Sequence, residues 1–221
     1  MNNALIIGGS GGIGAALVAE LESRGVAVTS LSRSGDGLDV TDEARVAEVL
    51  GGLEGSFDLI FVASGALQIG DFGPEKALKQ LDPEAMMAQF AVNAIGPAMV
   101  LKHGLRLLPR EGRAVFAALS ARVGSIGDNR LGGWYSYRAA KAAVNQLIHS
   151  AAIEVARTHK EAICVALHPG TVATPFTAQF VKPEKATPPA DTARQLIDVV
   201  EGLTPDDTGL FFDYAAKPIP W

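Results

Sequence analysis

Apolar residues follow two rhythms along this chain. The first is a series of short unbroken runs: "NALII" (3–7), "VAVTSLS" (26–32), "FDLIFVAS" (57–64), "RAVFAALS" (113–120), "AICVALH" (162–168) and "TGLFFDY" (208–214). Such runs, bounded by turn residues and rich in β-branched or aromatic side chains, predict buried strands. The second rhythm has helical spacing. Ile13, Leu17, Val18 and Leu21 share one face of a segment over 13–25, and Gly25 suits its end. A short helix is predicted over 42–52 with Thr41 as its cap. A longer one over 82–108 opens on Asp82 and Pro83, and Gly96-Pro97 should kink it. Further helices are expected near 134–159 and 190–202.

Strands alternating with helices mean βαβ units and a parallel sheet. Strands this apolar are buried on both faces, so helices must cover both sides. The expected fold is therefore α/β: a single-domain, Rossmann-type, doubly wound parallel sheet of about seven strands. Its ligand crevice lies at the carboxyl ends of the strands, where strand order reverses. Residues 1–221 show no linker, repeat or low-complexity segment. "VKPEKATPPAD" (181–191) reads as a surface loop or lid, and the substrate loop is expected near 176–190.

Composition narrows the partners. Hydrophobic residues make up 48% and charged ones 19%, with a net charge of −5. An acidic chain lacks the basic face that nucleic acid requires, so no nucleic-acid partner is expected. Cys164 is alone, which rules out a disulfide within the chain and fits a reducing compartment. It reads as a small buried apolar residue. No run of about 18 apolar residues occurs and the first residues carry no basic region. A soluble, cytoplasmic protein with no membrane partner is expected. His103, His149, His159 and His168 show no metal-ligand spacing, so no metal is expected. Ser10 sits in "GGSGG", which is not a nucleophile elbow.

Candidate chemistry begins at "GGSGGIG" (8–14), between the first strand and the first helix. Gly8, Gly12 and Gly14 allow a tight turn and a close backbone approach to a pyrophosphate, beside Ser10 and Ile13. The second strand ends in Ser32, Arg33 and Ser34, and a guanidinium flanked by hydroxyls suits a 2′-phosphate. NADP(H) is expected in preference to NAD(H). Asp36 is the competing reading, as a carboxylate for a ribose 2′-hydroxyl, although it follows Gly35. Asp39 and Val40 either meet the adenine or form a helix-entry turn.

"GGWYSYRAAKAAVN" (132–145) holds two tyrosines. On a helix, residues four apart share a face, so Tyr137 has Lys141 beside it while Tyr135 has Ala139. A free tyrosine titrates near pH ~10 and needs nearby positive charge to act near neutrality. By itself this spacing decides little. Trp134, Phe176 and Phe180 either line an apolar pocket or simply pack.

Taken in order, "GGSGGIG", "VN" (92–93), the serine-bearing strand end at 119–120, "YRAAK" (137–141) and "HPGTVATPF" (168–176) resemble the short-chain dehydrogenase/reductase family. "SARVGSIGDNRLGGWYSYRAAKAAVN" and the ending "FFDYAAKPIPW" resemble its C-factor-like branch. The resemblance implies that Tyr137 is the general acid/base and that Lys141 lowers its pKa and holds the nicotinamide ribose. It implies that Asn93 binds a water linking Lys141 to solvent. Gly8, Gly12 and Gly14 would cradle the pyrophosphate, and Ser64 and Gly65 would contact the cofactor. Pro169, Gly170, Thr171 and Thr174 would hold the nicotinamide amide and diphosphate. It also implies a homodimer through the two long helices, 82–108 and 134–159.

Three departures stand out. Ile7 replaces the threonine usual before the first glycine, and "VASG" (62–65) replaces "NNAG". The catalytic serine position falls on Ala121, three residues before Gly124. Ser120 is next door and Ser125 one past the glycine; either reaches in, Ser120 preferred, or no serine serves. Two functions are therefore weighed. One is NADPH-dependent reduction of a small aldehyde, ketone or quinone, or the reverse reaction on an alcohol. The other is a cofactor-binding regulatory or C-factor-like signalling protein with vestigial catalysis. A nucleotide-sugar epimerase or dehydratase ranks lower, because no residues remain for an added substrate domain.

Overall fold

The computed structural model describes residues 1–178, 180 and 182–221. Gln179 and Val181, in the expected substrate loop, lie outside the described residues. All six apolar runs form strands: β1 Asn3–Ile7, β2 Ala27–Leu31, β3 Leu59–Val62, β4 Ala114–Leu119, β5 Ala162–His168 and β6 Phe211–Asp213. They make one sheet in the order β2-β1-β3-β4-β5-β6, parallel at every pairing.

The sheet has six strands among the described residues, where about seven were expected. After β2 the chain folds at once into a one-turn helix, α2 (Arg33–Asp36), capped by Ser32 Oγ accepting from the Gly35 N–H at 3.0 Å. It then closes a turn in which the Asp39 carboxylate accepts from Thr41 N (2.9 Å) and Thr41 Oγ1 (2.6 Å). These local bonds leave the "LDV" piece (38–40) with no ladder beside β2. Thr41 is thereby engaged, and Asp42 instead caps the next helix, α3 (Glu43–Gly51), accepting from Arg45 N at 3.1 Å.

Side-chain alternation along the central strands builds two cores. Leu5, Ile7, Ile60, Val62, Phe116 and Ala118 point to one face. There they meet Val46 and Leu50 of α3, Val100 and Leu101 of α5 (Gly96–Gly104), and Val144 and Ile148 of α6 (Tyr135–Val155). Ile6, Leu59, Phe61, Val115 and Ala117 point the other way, onto Leu17 and Leu21 of α1 (Gly12–Ser23) and Leu196, Ile197 and Val200 of α7 (Pro189–Gly202). Burial of the strands on both faces explains why their apolar runs are unbroken.

The helix over Pro83–Leu107 is long and apolar enough to cross a membrane by length and composition. It lies within the helical layer: α4 (Pro83–Phe90) packs on α6, and α5 on α3. Asp82 caps it as expected, accepting from Glu84 N and Ala85 N at 2.9 Å. Its irregularity falls one turn before Gly96-Pro97, as a π-helical turn over Ala91–Ile95. Pro97 has no N–H to return to the preceding turn, and its ring crowds that turn, so the hydrogen bonds there widen. Gly96 also admits Val40: a Cβ on Gly96 would lie 2.8 Å from Val40 Cγ2.

Candidate active site

Strand order reverses between β1 and β3, so the loops leaving those two strands flank a crevice. The β1 loop is held by Gly8 N and Gly9 N, which both donate to Leu31 O (2.7 and 3.2 Å). Gly8 adopts φ +89°, a conformation side chains disfavour. A Cβ on Gly14 would lie 2.1 Å from Gly8 O, and one on Gly12 would lie 2.6 Å from Thr174 Cγ2. The glycines therefore let helix α1 start directly against the loop. Gly11, at its N-cap, offers no side chain, and no acidic residue stands in the first turn. The N–H groups there remain open to an anion.

Two cavities meet at this loop and share Ser10, Gly11, Ala63, Ser64 and Gly65 in their walls. The outer one, about 700 Å³, is lined at its far end by Ser32, Arg33, Ser34, Asp39 and Val40. The inner one, about 350 Å³, reaches Ile13, Ser120, Tyr137, Lys141, Pro169, Gly170 and Thr174. Thr171 lies beyond it, lining a third cavity next to Tyr137. Ser64 Oγ is buried between the first two with no partner among the described residues. An elongated ligand with a central anion fits this groove: open helix N–H groups at its middle, and a guanidinium at one end. Asp36, the competing carboxylate, turns back onto the Ser32 N–H at 2.8 Å. Asp39 is held below the usual carboxylate range by its Thr41 hydrogen bonds, helped by Arg33 nearby.

Tyr137 and Lys141 lie one turn apart on α6, both buried. Lys141 Nζ sits 5.7 Å from the Tyr137 ring centre and donates to Leu119 O at 2.9 Å. Burial pulls the Lys141 ammonium down to about 7 and pushes the Tyr137 phenol upward. Tyr135 faces a separate depression with Gly132 and Ala139. The Tyr137 ring is flanked by Trp134 and Phe176, each at 6.4 Å between ring centres. Phe180 stands behind Trp134 at 6.0 Å. These three aromatics wall the third cavity, so they do line a pocket.

Asn93 is fully buried in the π turn. Its Nδ2 donates to Ala66 O (2.8 Å) and Gln89 Oε1 (2.7 Å), and its Oδ1 accepts from Ala66 N (3.1 Å). A Cβ on Gly65 would lie 3.0 Å from Asn93 Oδ1 and 3.6 Å from Lys141 Nζ, so this glycine brings the β3 loop between the two.

The hydroxyl of Ser120 donates to Asn145 Oδ1 at 2.6 Å. That of Ser125 donates to Pro220 O and accepts from Asp128 N. Ala121 lines the inner cavity and has no hydroxyl to offer. Sequence reasoning missed four residues here. Gln89 bonds Leu67 O at 2.9 Å and so ties the β3 loop to α4; its place four before Asn93 was the available signal. Glu75 caps α6: Ser136 N and Oγ both donate to its carboxylate, beside Tyr137. Trp134, at the N-cap with φ +52°, supplies no cap of its own. Asn145 and Glu75 meet their partners across long stretches of chain, and nothing local announces them. His168, expected only at a strand end, lines both the inner and the third cavity.

Comparison with known proteins gives the same picture. Residues 8–209 match the family model described as enoyl-(acyl carrier protein) reductase. The chain is similar to C-signal of Myxococcus xanthus, 34% identical over 66% of this chain and 84% of that protein. It is similar to 1-hydroxy-2-glutathionyl-2-methyl-3-butene dehydrogenase of Rhodococcus sp. (strain AD45), 30% identical over 96% of each. Its fold matches that of NADPH-bound carbonyl reductase from chicken fatty liver, with a TM-score of 0.87 at 20% identity, over 100% of this chain and 94% of that one. With its glycine loop, its Tyr137–Lys141 pair and these matches, the chain belongs to the short-chain dehydrogenase/reductase family, in its C-factor-like branch.

Proposed function

We propose that the protein is an NADPH-dependent oxidoreductase that reduces a small aldehyde, ketone or quinone, with Tyr137 as general acid. The observation that carries this reading is the buried Tyr137–Lys141 pair at the inner end of a groove that begins at Arg33. The bound nicotinamide cofactor would supply a hydride to the substrate carbonyl carbon. The chain's own residues do the rest. Gly8, Ser10, Gly12, Ile13 and Gly14 present the open helix N-terminus to the diphosphate. Arg33, between Ser32 and Ser34, takes the 2′-phosphate, and Asp39 and Val40 border the adenine. Ser64, Gly65, Pro169, Gly170, Thr171 and Thr174 shape the inner wall.

Tyr137 holds a proton at Oη for the substrate oxygen. The phenolate left behind is costly in so buried a site unless a cation stands close. Lys141 is that cation. Asn93 is proposed to join it to solvent through bound water. Ser120 polarises the substrate oxygen only if its hydroxyl leaves Asn145. The described residues between Phe176 and α7 are proposed to shape the substrate entrance, the chain acts as one unit, and it pairs as a homodimer in the cytoplasm.

Loss of nicotinamide absorbance with a panel of aldehydes, ketones and quinones tests the reading, with NADPH preferred to NADH. Tyr137→Phe is expected to remove at least 100-fold of turnover while NADPH still binds. Retained turnover in that variant refutes the assigned role. A second reading rests on Ala121 and on the engaged hydroxyls of Ser120 and Ser125. It is a cofactor-binding signalling protein in which catalysis is vestigial. Tight NADP(H) binding with no turnover on any substrate favours it.

A further inference from the structure

The third cavity, about 440 Å³, opens beside Tyr137 on the side away from the glycine loop. Its lining includes the aromatic rings of Trp134, Phe176 and Phe180. It also includes the guanidinium-bearing residues Arg122, Arg130 and Arg138. This is unusual for a chain with 24 acidic and 19 basic residues.

The one carboxylate in the lining, Asp128, is already engaged by Arg122 at 3.0 Å. Arg122 also reaches Asp213 behind the wall at 3.1 Å, so this guanidinium is neutralised. The other two are not. Arg138 donates to the carbonyls of Gly133 (2.9 Å) and Val123 (3.2 Å), and Arg130 to that of Asn129 (3.2 Å). Neither has a carboxylate within ion-pair distance among the described residues. Arg138 is half-buried, where an uncompensated cation attracts an anion more strongly than it would in open water. Guanidinium groups match carboxylate oxygens in shape as well as charge.

We propose that this cavity is a substrate subsite for carbonyl compounds that carry a carboxylate on an aromatic or branched apolar body. The apolar body lies against Trp134 and Phe176, the carbonyl meets Tyr137, and Arg130 and Arg138 hold the carboxylate. The proposal deepens the oxidoreductase reading and rests on it for the identity of the reacting group.

The test compares 4-carboxybenzaldehyde with its methyl ester, at low ionic strength with NADPH. The acid is expected to be reduced with at least tenfold higher kcat/KM, and the ratio should fall as salt is added. Arg130→Ala should bring the ratio close to one by raising KM for the acid, and Arg130→Lys should restore part of it. Equal efficiencies for acid and ester, or a ratio that survives Arg130→Ala, overturn the proposal. If neither aldehyde is reduced, the wider panel of aldehydes, ketones and quinones decides the oxidoreductase reading, and binding decides the subsite. Trp134 fluorescence, with Trp134→Phe as the control for Trp221, then follows titration with benzoate and with benzamide. At least tenfold tighter benzoate binding that Arg130→Ala removes upholds the subsite, and equal binding ends it.

Discussion

Lys141 is a buried titrating group. It is 3% exposed, and its one acceptor among the described residues is a neutral carbonyl, that of Leu119. Burial disfavours the ammonium and brings its pKa from 10.5 to about 7. Below pH 7 the side chain is charged both folded and unfolded, and the fold bears the whole desolvation cost. Between about 7 and 10.5 the folded protein releases the proton that the unfolded chain keeps. Stability therefore rises with pH across that window. The full effect is on the order of 5 kcal/mol. In urea, the cofactor-free protein should gain stability from pH 7 to pH 10 relative to Lys141→Met. A parallel trend in both proteins would show that burial does not lower the Lys141 pKa. The pairing of Lys141 with Tyr137 was legible in the sequence, because four residues on a helix is one face. The engagement of Ser120 was not, since its acceptor lies 25 residues away and only packing brings it there.

At the scale of elements, the position of α6 decides the site, and Gly124 sets that position. A Cβ at 124 would lie 2.8 Å from both the carbonyl carbon and Cβ of Lys141, and 3.0 Å from Ala142 N. Helix backbone cannot yield there as a flexible side chain would. Gly124→Ala should therefore displace α6 or strain it, at a cost of roughly 1–3 kcal/mol. Turnover should fall more than NADPH binding does, because the glycine loop is on a different element. Thermal unfolding and cofactor titration check both parts; unchanged turnover would mean that the helix tolerates the shift. The central strands β3, β4 and β5 were readable because burial on both faces leaves them almost wholly apolar. Asp39 and Val40 lie in a turn leading to α3, because Ser32 and Asp39 bond their own backbone neighbours rather than a ladder. The π turn was unreadable for a related reason. Gly96 and Pro97 announce an irregularity in the preceding turn but do not say that it takes the π form.

For the whole molecule, the two helical layers differ. The layer holding α4 and α6 leaves Met87 (64%), Ile95 (49%), Leu147 (40%) and Ile153 (57%) exposed. A depression between α5 and α6, lined by Leu101, Leu105, Leu147 and Ala151, adds to this apolar surface. Small residues on α6, such as Ala139, Ala143 and Ala151, allow another helix to come close. A stable interface needs about 800 Å² from each partner. We propose that a second copy of the same layer, turned about a two-fold axis, covers this apolar surface. Light scattering should then give twice the 23.0 kDa chain mass. Ile153→Glu, on the outer face of α6, places a charge on the proposed apolar interface and should shift the mass to a single chain. Because α6 also carries Tyr137 and Lys141, dissociation should lower turnover as well as mass. A wild-type protein that scatters as a single chain at tens of micromolar would remove the dimer, and with it any dependence of the site on the second copy.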